Sequence, residues 1–402
     1  MGLNMEFKFF KKLKHKAHSL TGCITLELLK KAFDKVKRNK GAAGVDKITI
    51  GMFETNLAEN LAKLQRELVS RNYKPKPLRR VYIEKDGGGK KLRPLSIPCV
   101  RGRTAQEALR HIIEPFFEPL FSDNSFGFRP KRSCHDAIRK IISYRDKGYK
   151  FVVDADIVGC FDNIPHNVIM KALSAVIADG NILTAVERCL KAGVVDNGEF
   201  KETNIGTPQG GNLSPLLTNI VLHELDIKLH QAGLPFVRYA DDFVILTRTM
   251  REAEEAYLFA QNVLNALGLE VSKEKSKIAS FDEGFDFLGF NLRKQHVKMS
   301  DKAVNRYKQK IRDITKRKLN LECNVIVKTA QVIRGTANYF GIPESSSKSL
   351  FAKLDRFTRT RFRCMKKKRI WKTDYYRIPN KMIQRWGVIS ISEFLVKTAA
   401  PP

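Results

Sequence analysis

The sequence is short of several things. Only 2 of its 402 residues are Trp and only 8 are His. Its 7 cysteines are Cys23, Cys99, Cys134, Cys160, Cys189, Cys323 and Cys364, with no C-x-x-C among them. That odd number and wide spacing exclude a disulfide frame or a zinc knuckle and fit reduced thiols. No apolar run approaches the roughly 18–20 residues that a membrane-spanning helix needs. Residues Met1 to Lys16 are basic but lack a continuous apolar core and a small-residue cleavage site, so they do not read as a secretory signal. Repeats and low-complexity tracts are absent. Acid is also scarce, with 42 Asp and Glu against 73 Lys and Arg, a net charge of +31. Such a charge calls for a polyanionic partner. At 43% apolar residues, with 25 Phe, the chain can build real cores, so intrinsic disorder is excluded. The expectation is a cytoplasmic nucleic-acid binder of two to three domains, with no membrane.

The acid deficit is uneven. Residues 291–402 carry 28 Lys and Arg against 7 Asp and Glu, which places a boundary near residue 290. Within that part, Arg356, Arg359, Arg361, Arg363, Lys366, Lys367, Lys368, Arg369 and Lys372 crowd together, with Phe357, Phe362 and Trp371 between them. Cations neutralise phosphates and aromatic rings stack on unpaired bases, so this segment is a candidate nucleic-acid surface.

Apolar periodicity predicts helices over 25–39, 103–114, 214–230 and 251–267. Strand-like runs cover 80–84, 149–157, 235–240, 243–247 and 285–290. This interleaving suggests an α+β arrangement. The runs from Pro235 to Thr247 are separated by only two residues, which forces an antiparallel hairpin.

That hairpin carries the sharpest chemistry. It reads Phe236-Val237-Arg238-Tyr239-Ala240-Asp241-Asp242-Phe243-Val244-Ile245-Leu246, with two carboxylates at the tip. Asp is an ordinary turn residue. Adjacent like charges repel, however, and a hard divalent cation relieves the repulsion. A second acidic run, Phe151-Val152-Val153-Asp154-Ala155-Asp156-Ile157, alternates so that Asp154 and Asp156 share one face. Asp154 reads equally as a ligand or as the partner of a nearby Lys. If the two strands adjoin, the carboxylates converge and can hold two Mg²⁺.

Here the sequence resembles the reverse transcriptases. Tyr239-Ala240-Asp241-Asp242 resembles their motif C, Asp156 to Ile164 motif A, and Gly206-Thr207-Pro208-Gln209-Gly210-Gly211 with Asn212 to Pro215 motif B. Lys273 to Lys277 and Phe285 to Phe290 are similar to motifs D and E, and all five stand in the family's order. Asn39 to Asp46, Leu92 to Pro98, Ser125 to Pro130, Val332 to Gly335 and Asn338 to Phe340 resemble group II intron-encoded proteins in particular.

The resemblance implies a right-hand polymerase. Its parts would be a basic extension (1–20), fingers (21–120), palm with part of the fingers (121–290), and an α-helical thumb with a short maturase segment (291–402). It implies a two-metal centre of Asp156, Asp241 and Asp242, with Mg²⁺ or Mn²⁺ as a substitute. Phe161 would exclude the 2′-hydroxyl, although its bland reading is a packed core ring. Gln209 would lie beside the incoming nucleotide, although its Pro-Gly context also reads as a loop breaker. Lys85 and Arg93 would clamp the triphosphate, with Lys90 or Lys91 as alternatives to Lys85 because the turn is long. Lys275 would protonate pyrophosphate, or else belong to a solvated basic face. The implied partners are a group II intron RNA template, a DNA primer or target, and dNTPs, with dimerisation open. The chain would work near the bacterial nucleoid or in a ribonucleoprotein. After Trp386 no Cys/His-rich endonuclease segment follows. A domesticated reverse transcriptase in phage defence or CRISPR adaptation, and a non-catalytic splicing factor, are the rival readings.

Overall fold

A computed structural model describes residues 16–84, 92–208, 210–369, 371 and 373–394. The chain forms two compact units, one of residues 1–140 and 151–278, the other of 141–150 and 279–402.

Its strands are β1 (Leu78–Glu84), β2 (Leu92–Ile97), β3 (Phe151–Ala155), β4 (Val194–Asp196), β5 (Glu199–Lys201), β6 (Phe236–Tyr239), β7 (Asp242–Thr247), β8 (Lys277–Ser280), β9 (Phe285–Phe287), β10 (Phe290–Leu292) and β11 (Val297–Met299). They make sheets in the orders β2-β1-β4-β5, β6-β7-β3-β8 and β11-β10-β9. Helices pack around them in the expected α+β manner, and most strand pairs are antiparallel.

In the first unit, the helix Leu26–Arg38 buries Leu29, Ala32, Phe33 and Val36, one stripe at helical spacing. The Thr25 side chain accepts from Leu28 N at its start. The helix Val100–Phe117 is longer at both ends than the sequence predicted and runs through Pro115. The helix Ser214–Gln231 is buried on nearly every side. It therefore forms the centre of the unit rather than its surface.

In the second unit, the run expected as one strand over 285–290 folds back on itself. Leu288 and Gly289 adopt positive φ of 48° and 79° and split it into β9 and β10. The mostly apolar run, with Phe285 and Phe287 alternating about Asp286, hides such a turn, because only Gly289 signals it. The helices Asp301–Ile314, Cys323–Phe340 and Lys348–Lys367 complete this unit.

Candidate active site

The site grows from the register of the second sheet. β6 and β7 pair Tyr239 with Asp242, so Ala240 and Asp241 form the two-residue turn. Ala240 takes φ 61°, a left-handed conformation that costs energy for a residue with a Cβ. β3 pairs with β7 as far as Ala155 opposite Phe243. Asp156 follows directly after that last pair, at the end of β3 that adjoins Asp242, the first residue of β7. Val153, Ala155 and Ile157 are buried while Asp154 and Asp156 are half-exposed, as the alternation predicted.

Asp156 is fixed from the other side too. Its backbone N–H donates to Ser276 Oγ at 3.1 Å, and its carbonyl accepts from Ser272 N at 2.8 Å. This docks the segment 270–276 alongside and brings the Lys275 ammonium into an ion pair with Asp156. That contact raises the Lys275 pKa.

The carboxylates feel one another. Asp242 is open to water on one side yet hemmed in by protein. This partial desolvation, and then the charges of Asp241, Asp156 and Asp154, push its pKa up to about 6. Burial also raises Asp241, with Asp156 adding to it and Arg93 and Arg238 opposing. Three hard oxygen donors that destabilise each other's charge suit a divalent cation. Among the described residues no three His, Cys, Asp or Glu side chains are drawn together tightly enough to hold an ion as they stand. Asp156 is turned to Lys275 instead.

A cavity of about 530 Å³ opens at Asp156 and Asp241, while Asp242 and Asp154 are not part of its lining. Asp156, Asp241, Arg93, Phe161 and Lys275 all line it, so five residues named from the sequence meet in one cleft. The Phe161 ring is half-buried and braced edge-on by Phe128, with centroids 6.2 Å apart. Lys85 and Gln209 lie outside the described residues, as do Lys90, Lys91 and Lys372. The loop that carries Gln209 is nevertheless anchored on both sides. Gly206 has φ +85°, and a Cβ there would meet Asp162 O at 2.4 Å, so only glycine fits. Asn212, just beyond, donates its backbone N–H to Gln106 at 3.0 Å and its amide to Glu107 at 3.0 Å.

The sequence reading missed what holds the turn. Arg238 and Asp226 are fully buried, and the guanidinium donates to both carboxylate oxygens, at 2.7 and 2.6 Å. Its remaining nitrogen donates to Asn219 Oδ1 at 2.8 Å and to Ala240 O at 2.9 Å. Asn219 in turn donates to Gly127 O at 2.8 Å. A Cβ on Gly127 would meet Ala240 N at 2.2 Å, so the loop 124–127 lies directly against the turn. The signals were present: one charge, Arg238, in an apolar strand, and two acids, Glu224 and Asp226, in an apolar helix.

The basic C-terminal residues belong to the second unit. Arg356, Lys366, Lys367 and Lys368 are exposed, and Arg359, Arg361 and Arg369 are half-buried. Arg361 donates to Thr315 O at 2.8 Å and Lys368 to Leu319 O at 2.6 Å. Arg363 departs from the open surface expected of it. It is buried, donating to Ile378 O at 2.8 Å and Asn380 Oδ1 at 2.6 Å, because it lies on the inward face of its helix.

Two family models match the chain. Residues 83–292 match the model of the reverse transcriptase (RNA-dependent DNA polymerase) family, and residues 304–384 that of the group II intron maturase-specific domain. Protein YkfC of Escherichia coli K12 is 36% identical over 307 residues, which cover 66% of this chain and 80% of that protein. The group II intron-encoded protein LtrA of Lactococcus lactis is 33% identical over 349 residues, 68% of this chain and 57% of LtrA. An uncharacterised 91 kDa protein in the cob intron of Schizosaccharomyces pombe is 30% identical over 323 residues, 65% of this chain and 39% of that protein. By these matches, and with its α+β right-hand polymerase fold, the chain belongs to the group II intron-encoded reverse transcriptase and maturase family.

Proposed function

We propose that this chain is an RNA-directed DNA polymerase of the group II intron type. It copies intron RNA into cDNA from a DNA primer with dNTPs, and its C-terminal part binds the same RNA to assist splicing and retrohoming. The observation that carries this reading is the cleft that gathers Asp156, Asp241, Arg93, Phe161 and Lys275. Residues 21–120 act as fingers, 121–290 as palm and 291–402 as thumb and maturase segment.

Asp156, Asp241 and Asp242 are the residues to hold two Mg²⁺, or Mn²⁺ in their place. Such ions would activate a primer 3′-hydroxyl and neutralise the leaving pyrophosphate. Arg93 offers the triphosphate a bidentate cation. Phe161 closes the floor of the cleft to a 2′-hydroxyl. Lys275 releases Asp156 as the nucleotide arrives and gives its proton to the departing pyrophosphate. The match of residues 304–384 supports the RNA-binding half of the reading.

Primer extension on poly(rA)/oligo(dT) with dTTP and Mg²⁺ tests this. The wild type should extend the primer, and Asp241→Asn/Asp242→Asn should not. No extension by the wild type would leave a non-catalytic splicing factor, and equal extension by both would remove Asp241 and Asp242 from the catalytic centre.

A further inference from the structure

The second unit holds a cavity of about 580 Å³ that the polymerase chemistry does not use. Its wall is made by Arg356, Arg359 and Arg363 on the helix Lys348–Lys367, and by Trp371, Asp374 and Tyr375 beyond it.

The charge balance of this wall is unusual. The side chains of Arg356 and Arg359 make no hydrogen bond or ion pair among the described residues, and Arg363 is spent inward on Ile378 and Asn380. Burial, and then the neighbouring Arg359 charge, lower the Arg363 pKa, so cations crowd here without enough acid. An anion is the missing partner.

The aromatic rings are placed for a planar ligand. Trp371 is 60% exposed and Tyr375 is 53% exposed, yet each ring has a guanidinium against it. Arg369 lies 4.4 Å from the Trp371 ring and Arg363 lies 4.9 Å from that of Tyr375. A cation on a ring leaves that ring fixed and available for a base. The third feature is Asp374. Only 1% exposed, it has both carboxylate oxygens without a hydrogen bond among the described residues. Arg369 forms an ion pair with one of them at 3.5 Å, which balances its charge without giving it a hydrogen bond. A buried carboxylate left so is costly unless donors reach it. Guanine alone among the RNA bases presents two adjacent N–H donors, N1–H and N2–H, to a carboxylate.

The geometry points to a pocket for one unpaired guanosine nucleotide of RNA. Its phosphate lies at Arg356 and Arg359, its base against Trp371 and Tyr375, and its donor edge toward Asp374. This rests on the reading of the second unit as RNA-binding. A paired helix keeps its bases stacked inside and its guanine donors engaged with cytosine, so only a splayed nucleotide fits.

The chain has 2 Trp, so the full-length Trp386→Phe variant leaves Trp371 as the single indole reporter. The probes are the single-stranded RNAs UUGUU and UUUUU, a blunt RNA duplex, and the DNA strand of UUGUU sequence, each dye-labelled so that anisotropy reports binding independently. UUGUU should quench Trp371 and bind roughly tenfold more tightly than UUUUU, in line with the energy of one base contact. Asp374→Asn should erase that preference, and Arg359→Ala should weaken UUGUU by a similar factor. Equal affinity for UUGUU and UUUUU on the unmutated pocket would overturn the proposal. So would equal quenching by the duplex or by the DNA strand. Binding seen by anisotropy without quenching rejects the pocket alone. No binding of any RNA rejects the RNA-binding reading beneath it.

Discussion

The Arg238 guanidinium grips the Asp226 carboxylate through two hydrogen bonds of 2.7 and 2.6 Å, with both side chains shut off from solvent. Through its third nitrogen the same group holds Ala240 O. The buried pair thus secures the strained backbone that presents Asp241 and Asp242.

Removing one partner leaves a buried charge alone. Asp226→Ala should cost about 3–5 kcal/mol in stability by denaturant titration. Arg238→Leu/Asp226→Leu should recover part of that stability, because the orphaned charge is gone. The double variant should still lose primer extension, since nothing then holds Ala240. Full activity in the double variant would show that the clamp does not position the turn.

Glu107 makes a pH-dependent contribution. Burial alone would raise its pKa, but hydrogen bonds from Arg110, Asn212 and Lys35 outweigh burial and hold it at about 2. Its folded pKa lies below the unfolded value of about 4.3. The stability is therefore complete above that value and lost as pH falls toward 2. The gap is worth about 3 kcal/mol. Glu107→Gln should be less stable than wild type at pH 7, with the difference in Tm shrinking below pH 4.3 toward 2. A difference constant down to pH 3 would contradict this.

Phe161 faces the same cleft as Asp156 and Asp241. Phe161→Ala should raise incorporation of ribonucleotides relative to deoxynucleotides by roughly tenfold or more. Competition assays with paired dNTP and rNTP measure the ratio. An unchanged ratio would return Phe161 to an ordinary packing role.

Gly127 touches the turn at its backbone. Gly127→Ala should push Ala240 and the two carboxylates out of place and lower kcat by roughly 10²-fold, as a displacement near 1 Å does elsewhere. The KM for dNTP should change less, because Arg93 lies on β2, in another sheet from the turn. Single-turnover kinetics separate the two effects.

Much of the site was legible because the strand period is two. Asp154 and Asp156 fell on one face, and the short separation of β6 from β7 left only a hairpin. What was illegible needed tertiary contact. Nothing in the local pattern says that Asp226 meets Arg238, because helix and strand periods fix a face but not a neighbour. The break at Leu288 was hidden by apolar residues on both sides, and the inward turn of Arg363 by a run of cations that looked uniform. The helix Val100–Phe117 outran its expected end because the apolar stripe that marked it stops at Ile113, while the helix runs on through Pro115 to bury Phe117.

β6 stands at the edge of its sheet, and its outer side is not bare. Phe126 N donates to Arg238 O and Arg238 N to Asn124 O, both at 2.8 Å, so the loop 124–127 closes the edge as an added rung. An uncovered row of Phe236 and Val237 would be a template for another chain's strand. A fragment cut to begin after Gly127 would bare that margin, and its characteristic failure would be insoluble, sheet-rich aggregate rather than a quiet, inactive monomer.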